Sequence, residues 1–155
     1  DEGRARSVCC VFSMNTDALA KWLYENLPGE HVPLIDTPHW IPERGKCHDN
    51  VARWITSNPD YTAIRGWLDI SYEVAVNRRR FASHSIVADP AGRLFDVSLS
   101  AADSPHRFIR HPWDEAGFLA AVHDNGLPTI DHLLSPDLPI TMEPPTEEAW
   151  PPRQF

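Results

Sequence analysis

Apolar positions recur with helical spacing in three stretches of the chain and alternate in three others. In the first helical stretch Leu19, Trp22, Leu23 and Leu27 form one stripe, with Asn15 or Thr16 placed to cap it and Pro28-Gly29 to stop it. Residues 31–45 carry Pro33, Pro38, Pro42 and Gly45 without a clean period and read as a loop. A second helix is predicted from about Cys47, with Val51, Trp54 and Ile55 following at i+4, i+7 and i+8 and Ser57-Asn58-Pro59 ending it. This spacing turns Cys47 toward the buried face of its first turn. A third helix is predicted over 114–124, with Phe118, Leu119 and Val122 as its apolar residues.

The alternating stretches are Tyr61–Ile70, Phe81–Ala88 and Arg93–Leu99, and a short buried strand is also expected over 8–13. Asp89-Pro90-Ala91-Gly92 joins the last two with the chemistry of a type I turn: Asp first, Pro with φ preset second, Gly fourth. A glycine bulge after such a turn pairs Asp89 with Arg93, sets Ile86 opposite Asp96, and sets His84 opposite Ser98. His84 and Asp96 then share a face as diagonal neighbours, roughly 7–8 Å apart at the backbone. A loop one residue shorter or longer would put them on opposite faces. The expected architecture is α+β: one domain over residues 1–134 in which the Cys47 helix packs on an antiparallel sheet. Residues 135–155 form a Pro-rich extended tail, since six prolines in the last twenty residues forbid a regular helix or central strand.

Composition narrows the function. Lys plus Arg is 14 against 22 Asp plus Glu, a net charge of −8, which repels phosphate backbones and argues against nucleic acid as a partner. The one basic run, Arg78-Arg79-Arg80, reads as a solvated turn or strand edge. No apolar stretch approaches the roughly 20 residues that span a bilayer, so no membrane partner is expected. The three cysteines, two of them adjacent (Cys9 and Cys10), make a poor disulfide framework. Cys9 and Cys10 read as small buried hydrophobes. The expected location is the cytoplasm, with secretion as a bacterial effector the alternative. The chain opens Asp1-Glu2-Gly3-Arg4 rather than with Met, which leaves room for a removed signal peptide.

Cys47 differs from the other two cysteines, because it opens a helix and is crowded by Arg44, Lys46, His48 and Asp49. A helix N-terminus favours the thiolate, the reactive form of the group. His84 can hold the thiol proton and later deliver it to a leaving amine. Asp96, on the far ring nitrogen, would fix the tautomer and stabilise the imidazolium. The eight histidines show no ligand spacing of the Cys-x-x-Cys or His-Glu-x-x-His kind, so no metal is expected.

Four segments, Gly45-Lys46-Cys47, Ala63-Ile64-Arg65-Gly66-Trp67-Leu68, His84-Ser85-Ile86-Val87 and Gly92-Arg93-Leu94-Phe95-Asp96-Val97, resemble the core of the transglutaminase-like branch of papain-like cysteine enzymes. The likeness spans about residues 45–98, in the order used by that family. It departs where Ser85-Ile86 follows His84 in place of a small residue and Trp, and where the strand Ile64-Arg65-Gly66-Trp67 is tighter than the common pattern. The resemblance implies a papain-like fold and an acyl-enzyme mechanism on an amide carbonyl, with Cys47 as nucleophile, His84 as base then acid, and Asp96 as orienter. It implies no metal or organic cofactor.

Related folds use a Gln before the Cys for the oxyanion hole, whereas the only Gln here is Gln154. The backbone N–H of Cys47 is the expected first donor, with the second from the 38–44 loop, Asn15 or His48. Trp40 and Trp67 flank the site in sequence and could line a substrate groove, core packing being the favoured role for Trp67. The expected function is a cysteine-dependent peptidase, amidase or protein deamidase acting on a peptide or protein, with transfer to an amine as close chemistry. Its rivals are an inactive binding module of the same fold and a secreted effector or toxin that deamidates a partner protein.

Overall fold

Asn15 starts the first helix, α1 (Thr16–Glu25), by accepting the Ala18 N–H on its side-chain oxygen at 2.8 Å. The computed structural model of the chain describes residues 15–71, 76–101, 103, 106–124 and 128–134. The strand expected over 8–13, with Cys9 and Cys10, and the tail 135–155 lie outside the described residues. The other elements are β1 (Glu30–His31), α2 (Cys47–Ser57), β2 (Thr62–Asp69), β3 (Arg78–Ala88), β4 (Leu94–Phe95), β5 (Arg107–Arg110), α3 (Glu115–Asp124) and β6 (Thr129–Leu133). Among the described residues the architecture is α+β, three helices with one six-stranded sheet in which every strand pair is antiparallel. Among the described residues no helix is long and apolar enough to cross a membrane.

The sheet runs β1-β5-β2-β3-β4, and β6 pairs with the opposite end of β3 from β4. Odd-numbered positions of β2 and β3 meet the helices. Trp67 and Phe81 pack with Leu19 and Leu23 of α1 and Phe118 of α3, and Val87 packs with Val51 and Trp54 of α2. Each such side chain, fully buried, contributes about 1.5–3 kcal/mol. On the even-numbered face Leu68 and Ile86 pack with Phe108, Leu94 and Leu99. The helix expected over 114–124 is present, but Leu119 is 53% exposed, and Phe118 anchors α3 in its place.

Gly66 stands opposite His84 in the β2–β3 register. A Cβ at position 66 would lie 2.4 Å from both the Phe108 ring and the Ile109 carbonyl oxygen, so only glycine lets β5 approach β2 this closely. The run Arg78–Arg80 opens β3 rather than forming a turn, and its charges are answered across strands. Arg78 and Arg80 pair with Asp131, and Arg79 with Asp69.

The turn after β3 has the expected form. The Asp89 N–H reaches the Arg93 carbonyl at 2.9 Å, the Gly92 N–H reaches the Asp89 carbonyl at 2.8 Å, and Gly92 has φ +79°. The register follows, with Val87 opposite Phe95 and Ala88 opposite Leu94. The strand expected to run to Leu99 stops at Phe95. From there the chain turns to the 33–35 segment, where the Asp96 N–H bonds the Pro33 carbonyl (2.9 Å) and the Asp96 carbonyl takes the Ile35 N–H (2.8 Å). Long-range pairing wins over continuation of the hairpin.

Candidate active site

Cys47 is the first residue of α2, and Lys46 before it contributes no side-chain cap. The first N–H groups of a helix have no intrahelical acceptor, so this end of α2 presents donors and a positive dipole at the sulfur. Two side chains locate it, one buried and one half-buried. Asn50, fully buried, brackets the segment leading into the helix: its oxygen accepts the Glu43 N–H (2.9 Å) and its amide donates to the Glu43 carbonyl (2.8 Å). The Ser98 hydroxyl donates to the Cys47 carbonyl at 3.4 Å.

His84 comes from β3 and is 4% exposed. Its Nε2 lies 2.6 Å from Oδ2 of Asp96, itself 3% exposed. The other carboxylate oxygen accepts the N–H groups of Ser98 (2.7 Å) and Leu99 (3.0 Å), a consequence of the chain turning away immediately after β4. Both oxygens of Asp96 are thus committed. The Cys47 sulfur lies 3.9 Å from the carbonyl oxygen of Ser83, the residue before His84 on β3.

Electrostatics divide the three groups. Burial opposes ionisation of Cys47, but hydrogen bonds with His48 and His84 and the charge of each ring outweigh it, bringing the thiol down to about 6. Burial likewise disfavours a charged His84, and the Asp96 and Cys47 partners outweigh it, raising the imidazole to about 9. Burial would raise Asp96 as well, but His84 and the two backbone N–H groups hold it below the usual carboxylate range. Near neutral pH the site therefore holds a thiolate, an imidazolium and a carboxylate in series. A thiolate at a helix N-terminus can attack a carbonyl, and the imidazolium can protonate what leaves.

His48 belongs to this group. It follows Cys47 on the first turn of α2, its Nδ1 lies 2.6 Å from the Ser85 hydroxyl, and its ring packs edge-on to Phe118. The other candidates lie elsewhere. Asn15 spends its side-chain oxygen on the cap of α1. Trp40 is half-buried: its indole N–H donates to the Val97 carbonyl at 2.7 Å, and its ring packs edge-on to Trp54 and under Arg53. Trp67 is 1% exposed and donates to His111 Nδ1, so it packs in the core, the role favoured for it. A cavity of about 460 Å³ lined by Leu34, Leu68, Leu99 and Phe108 touches the triad only at Asp96. Among the described residues no group of three or more His, Cys, Asp or Glu side chains is placed to hold a metal ion.

Sequence reasoning missed two contributors. Asn50 reads as an ordinary polar position three residues into a helix, and only its burial beneath the 43–46 segment reveals its work. Ser85 reads as a departure from a family pattern, yet it is the partner of His48. No family model matches the chain, and neither a curated protein nor a solved structure matches it.

Proposed function

We propose that the chain is a cysteine-dependent hydrolase or acyl transferase that acts on amide bonds of a peptide or protein through a thioester, on the papain-like, transglutaminase-like core its sequence resembles. The observation that carries this reading is the buried 2.6 Å contact between His84 Nε2 and Asp96 Oδ2, with the Cys47 sulfur at the start of α2 lying 3.9 Å from the carbonyl of Ser83, the residue before His84. Three groups of unlike chemistry rarely meet in this order without use, because two of them bury charge at a cost.

The thiolate of Cys47 adds to the amide carbonyl, and the new oxyanion faces the N–H groups at the start of α2. His84 gives its proton to the departing amine as the C–N bond breaks, leaving a thioester and a neutral imidazole. Water or a second amine then attacks the thioester, and His84 takes the attacker's proton as the C–S bond breaks, which restores thiolate and imidazolium. Asp96 keeps its proton count throughout and holds the ring in the tautomer that faces sulfur. Peptidase, deamidase and cross-linking activities differ only in which amine leaves and which acceptor arrives.

The test is incubation with an activated acyl ester such as p-nitrophenyl acetate, read by mass spectrometry of the intact chain. An acyl adduct on Cys47 that water discharges is expected in the wild type. It should be absent in Cys47→Ala, a variant that loses one sulfur and keeps the fold. No adduct on the folded wild type, or an adduct that persists in Cys47→Ala, refutes the reading.

A further inference from the structure

β4 ends at Phe95, and the turn that follows reaches across to α2 through one residue, Ser98. Its N–H donates to Asp96 Oδ1 at 2.7 Å, and its hydroxyl donates to the Cys47 carbonyl at 3.4 Å. Asp96 Oδ2 meets His84 Nε2 at 2.6 Å, and the Cys47 sulfur lies 3.9 Å from the carbonyl of Ser83, the residue before His84. The contacts close a ring in which Ser98 touches Asp96 on one side and Cys47 on the other. Its far side is pinned as well, since the Ser83 N–H donates to the Pro128 carbonyl at 2.7 Å.

Chemistry fixes the direction of the bonds at Ser98. The Glu43 N–H can only donate, so the Asn50 side-chain oxygen faces it, and the Asn50 amide nitrogen faces the Ser98 hydroxyl at 3.4 Å. An amide NH₂ can only donate, so the Ser98 oxygen accepts there and gives its own proton to the Cys47 carbonyl. A hydroxyl does both at once, and an alkyl side chain does neither. Asn50 is fully buried, which shields its side of the relay from water. We infer that Ser98 is a positioning residue, which sets the Cys47 end of α2 against the His84–Asp96 pair by holding the Cys47 backbone and the Asp96 carboxylate together.

This inference rests on the acyl-enzyme reading and supplies a cause for the place of the sulfur. The two half-reactions use that place unequally. An activated ester with a good leaving group needs a thiolate and no proton from His84, so a slightly displaced sulfur still reacts with it. Discharge needs more. His84 must take a proton from water as the water oxygen bonds to the thioester carbon, and the C–S bond then breaks to release thiolate. That step depends on the spacing of sulfur and imidazole. Removing the Ser98 hydroxyl spares the backbone bond to Asp96 and frees the helix end, so discharge should suffer where acylation does not.

The experiment is acetylation of the full chain by p-nitrophenyl acetate near neutral pH, then removal of excess ester, with both steps timed by mass spectrometry of the peptide that carries Cys47. In Ser98→Ala acylation should stay within about threefold of wild type, while discharge slows by about tenfold or more. Ser98→Thr keeps the hydroxyl and should discharge close to the wild-type rate. An unchanged discharge in folded Ser98→Ala, equal falls in both steps, or a Ser98→Thr as slow as Ser98→Ala overturns the inference. If Ser98→Ala does not fold, Ser98→Cys takes its place, with the same shape and a weaker donor, and a wild-type discharge rate there overturns it. Absence of any adduct on wild-type Cys47 sinks the acyl-enzyme reading instead, so the two failures are separable.

Discussion

His84 and Asp96 lie twelve residues apart in the chain and 2.6 Å apart at Nε2 and Oδ2, and one four-residue turn accounts for the difference. Asp96 accepts Ser98 and Leu99 N–H groups on Oδ1 and His84 on Oδ2. Asp96→Asn can keep the backbone pair only by placing its oxygen there and its NH₂ against His84. The ring must then accept at Nε2 and carry its proton on the nitrogen that faces sulfur, the wrong tautomer for a base. Turnover is expected to fall by roughly three to four orders of magnitude, with the fold retained and the urea unfolding midpoint lowered, because the buried imidazolium loses its counter-charge. Near-wild-type turnover would remove Asp96 from the mechanism.

The pH dependence of activity and that of stability should part company. Activity requires thiolate and imidazolium together, so it should rise through about 6 and fall through about 9 as the pair titrates. Stability behaves differently. His84 is raised on folding, so its contribution is full below its ordinary value of 6.5 and lost as pH rises to about 9. Cys47 is lowered, so its contribution is full above its ordinary value of 9.0 and lost as pH falls to about 6. Across that window the slopes oppose, because folding moves a proton from sulfur to ring without exchanging one with water. The urea midpoint should therefore be flat there in the wild type. It should decline with rising pH in Cys47→Ala, where His84 is left to titrate alone; a flat Cys47→Ala profile would contradict the shift assigned to His84.

Gly66→Ala would place a methyl 2.4 Å from the Phe108 ring and from the backbone of Ile109. The backbone contact cannot be relieved by a rotamer, so a destabilisation of about 1–3 kcal/mol or more is expected. Activity should fall as well, because Phe108 packs edge-on to His84 with centroids 6.5 Å apart. Shortening Phe108 to Leu in the same chain should recover part of the loss. A double-mutant cycle in urea measures that coupling, and strict additivity would refute the contact.

His111 is an acid-side liability. It accepts the Trp67 N–H at Nδ1, and its Nε2 is buried without a protein partner. Burial lowers it to about 4 despite the opposing charge of Asp114. The folded state prefers the neutral ring, so the stability it confers is full above 6.5, the ordinary value, and is lost as pH falls toward about 4, at up to about 1.4 kcal/mol per pH unit. His111→Gln keeps an acceptor for Trp67 and cannot titrate, so it should flatten the decline over that range. Urea midpoints for the two proteins on either side of the window decide it.

How much of this was legible in the sequence depends on the range of the forces involved. The bounds of α2 and the register after β3 follow from local chemistry: an apolar stripe ending at Asn58-Pro59, and a turn whose Asp, Pro and Gly each have one job. That local register placed His84 and Asp96 on one face before any tertiary contact was considered. β1, β5 and β6 were not anticipated. β5 is four residues with Arg at each end, β1 is two residues, and β6 follows Pro128, so none carries a period of its own. They are strands because β2 and β3 offer edges to pair with. The early end of β4 has the same cause, since the 33–35 segment competes for Asp96. At the site, the adjacency of Cys47 and His48 was visible, but Ser85 and Arg65 become their partners only when β2 and β3 pair with Arg65 opposite Ser85.

The three groups of the proposed site sit on two carriers of unequal stiffness. His84 and Asp96 ride on one hairpin, so their spacing is a property of a short covalent loop and its ladder. Cys47 rides on α2, whose place is fixed by the Asn50–Glu43 bracket, the Ser98 hydroxyl and an apolar seam of Val51 and Trp54 against Val87 and Val97. Strain that parts the helix from the sheet will stretch the sulfur–imidazole gap while leaving the imidazole–carboxylate gap alone. Warming should thus silence the thiol while His84 still holds its carboxylate, an inactivation that cooling reverses because half of the machinery has never come apart.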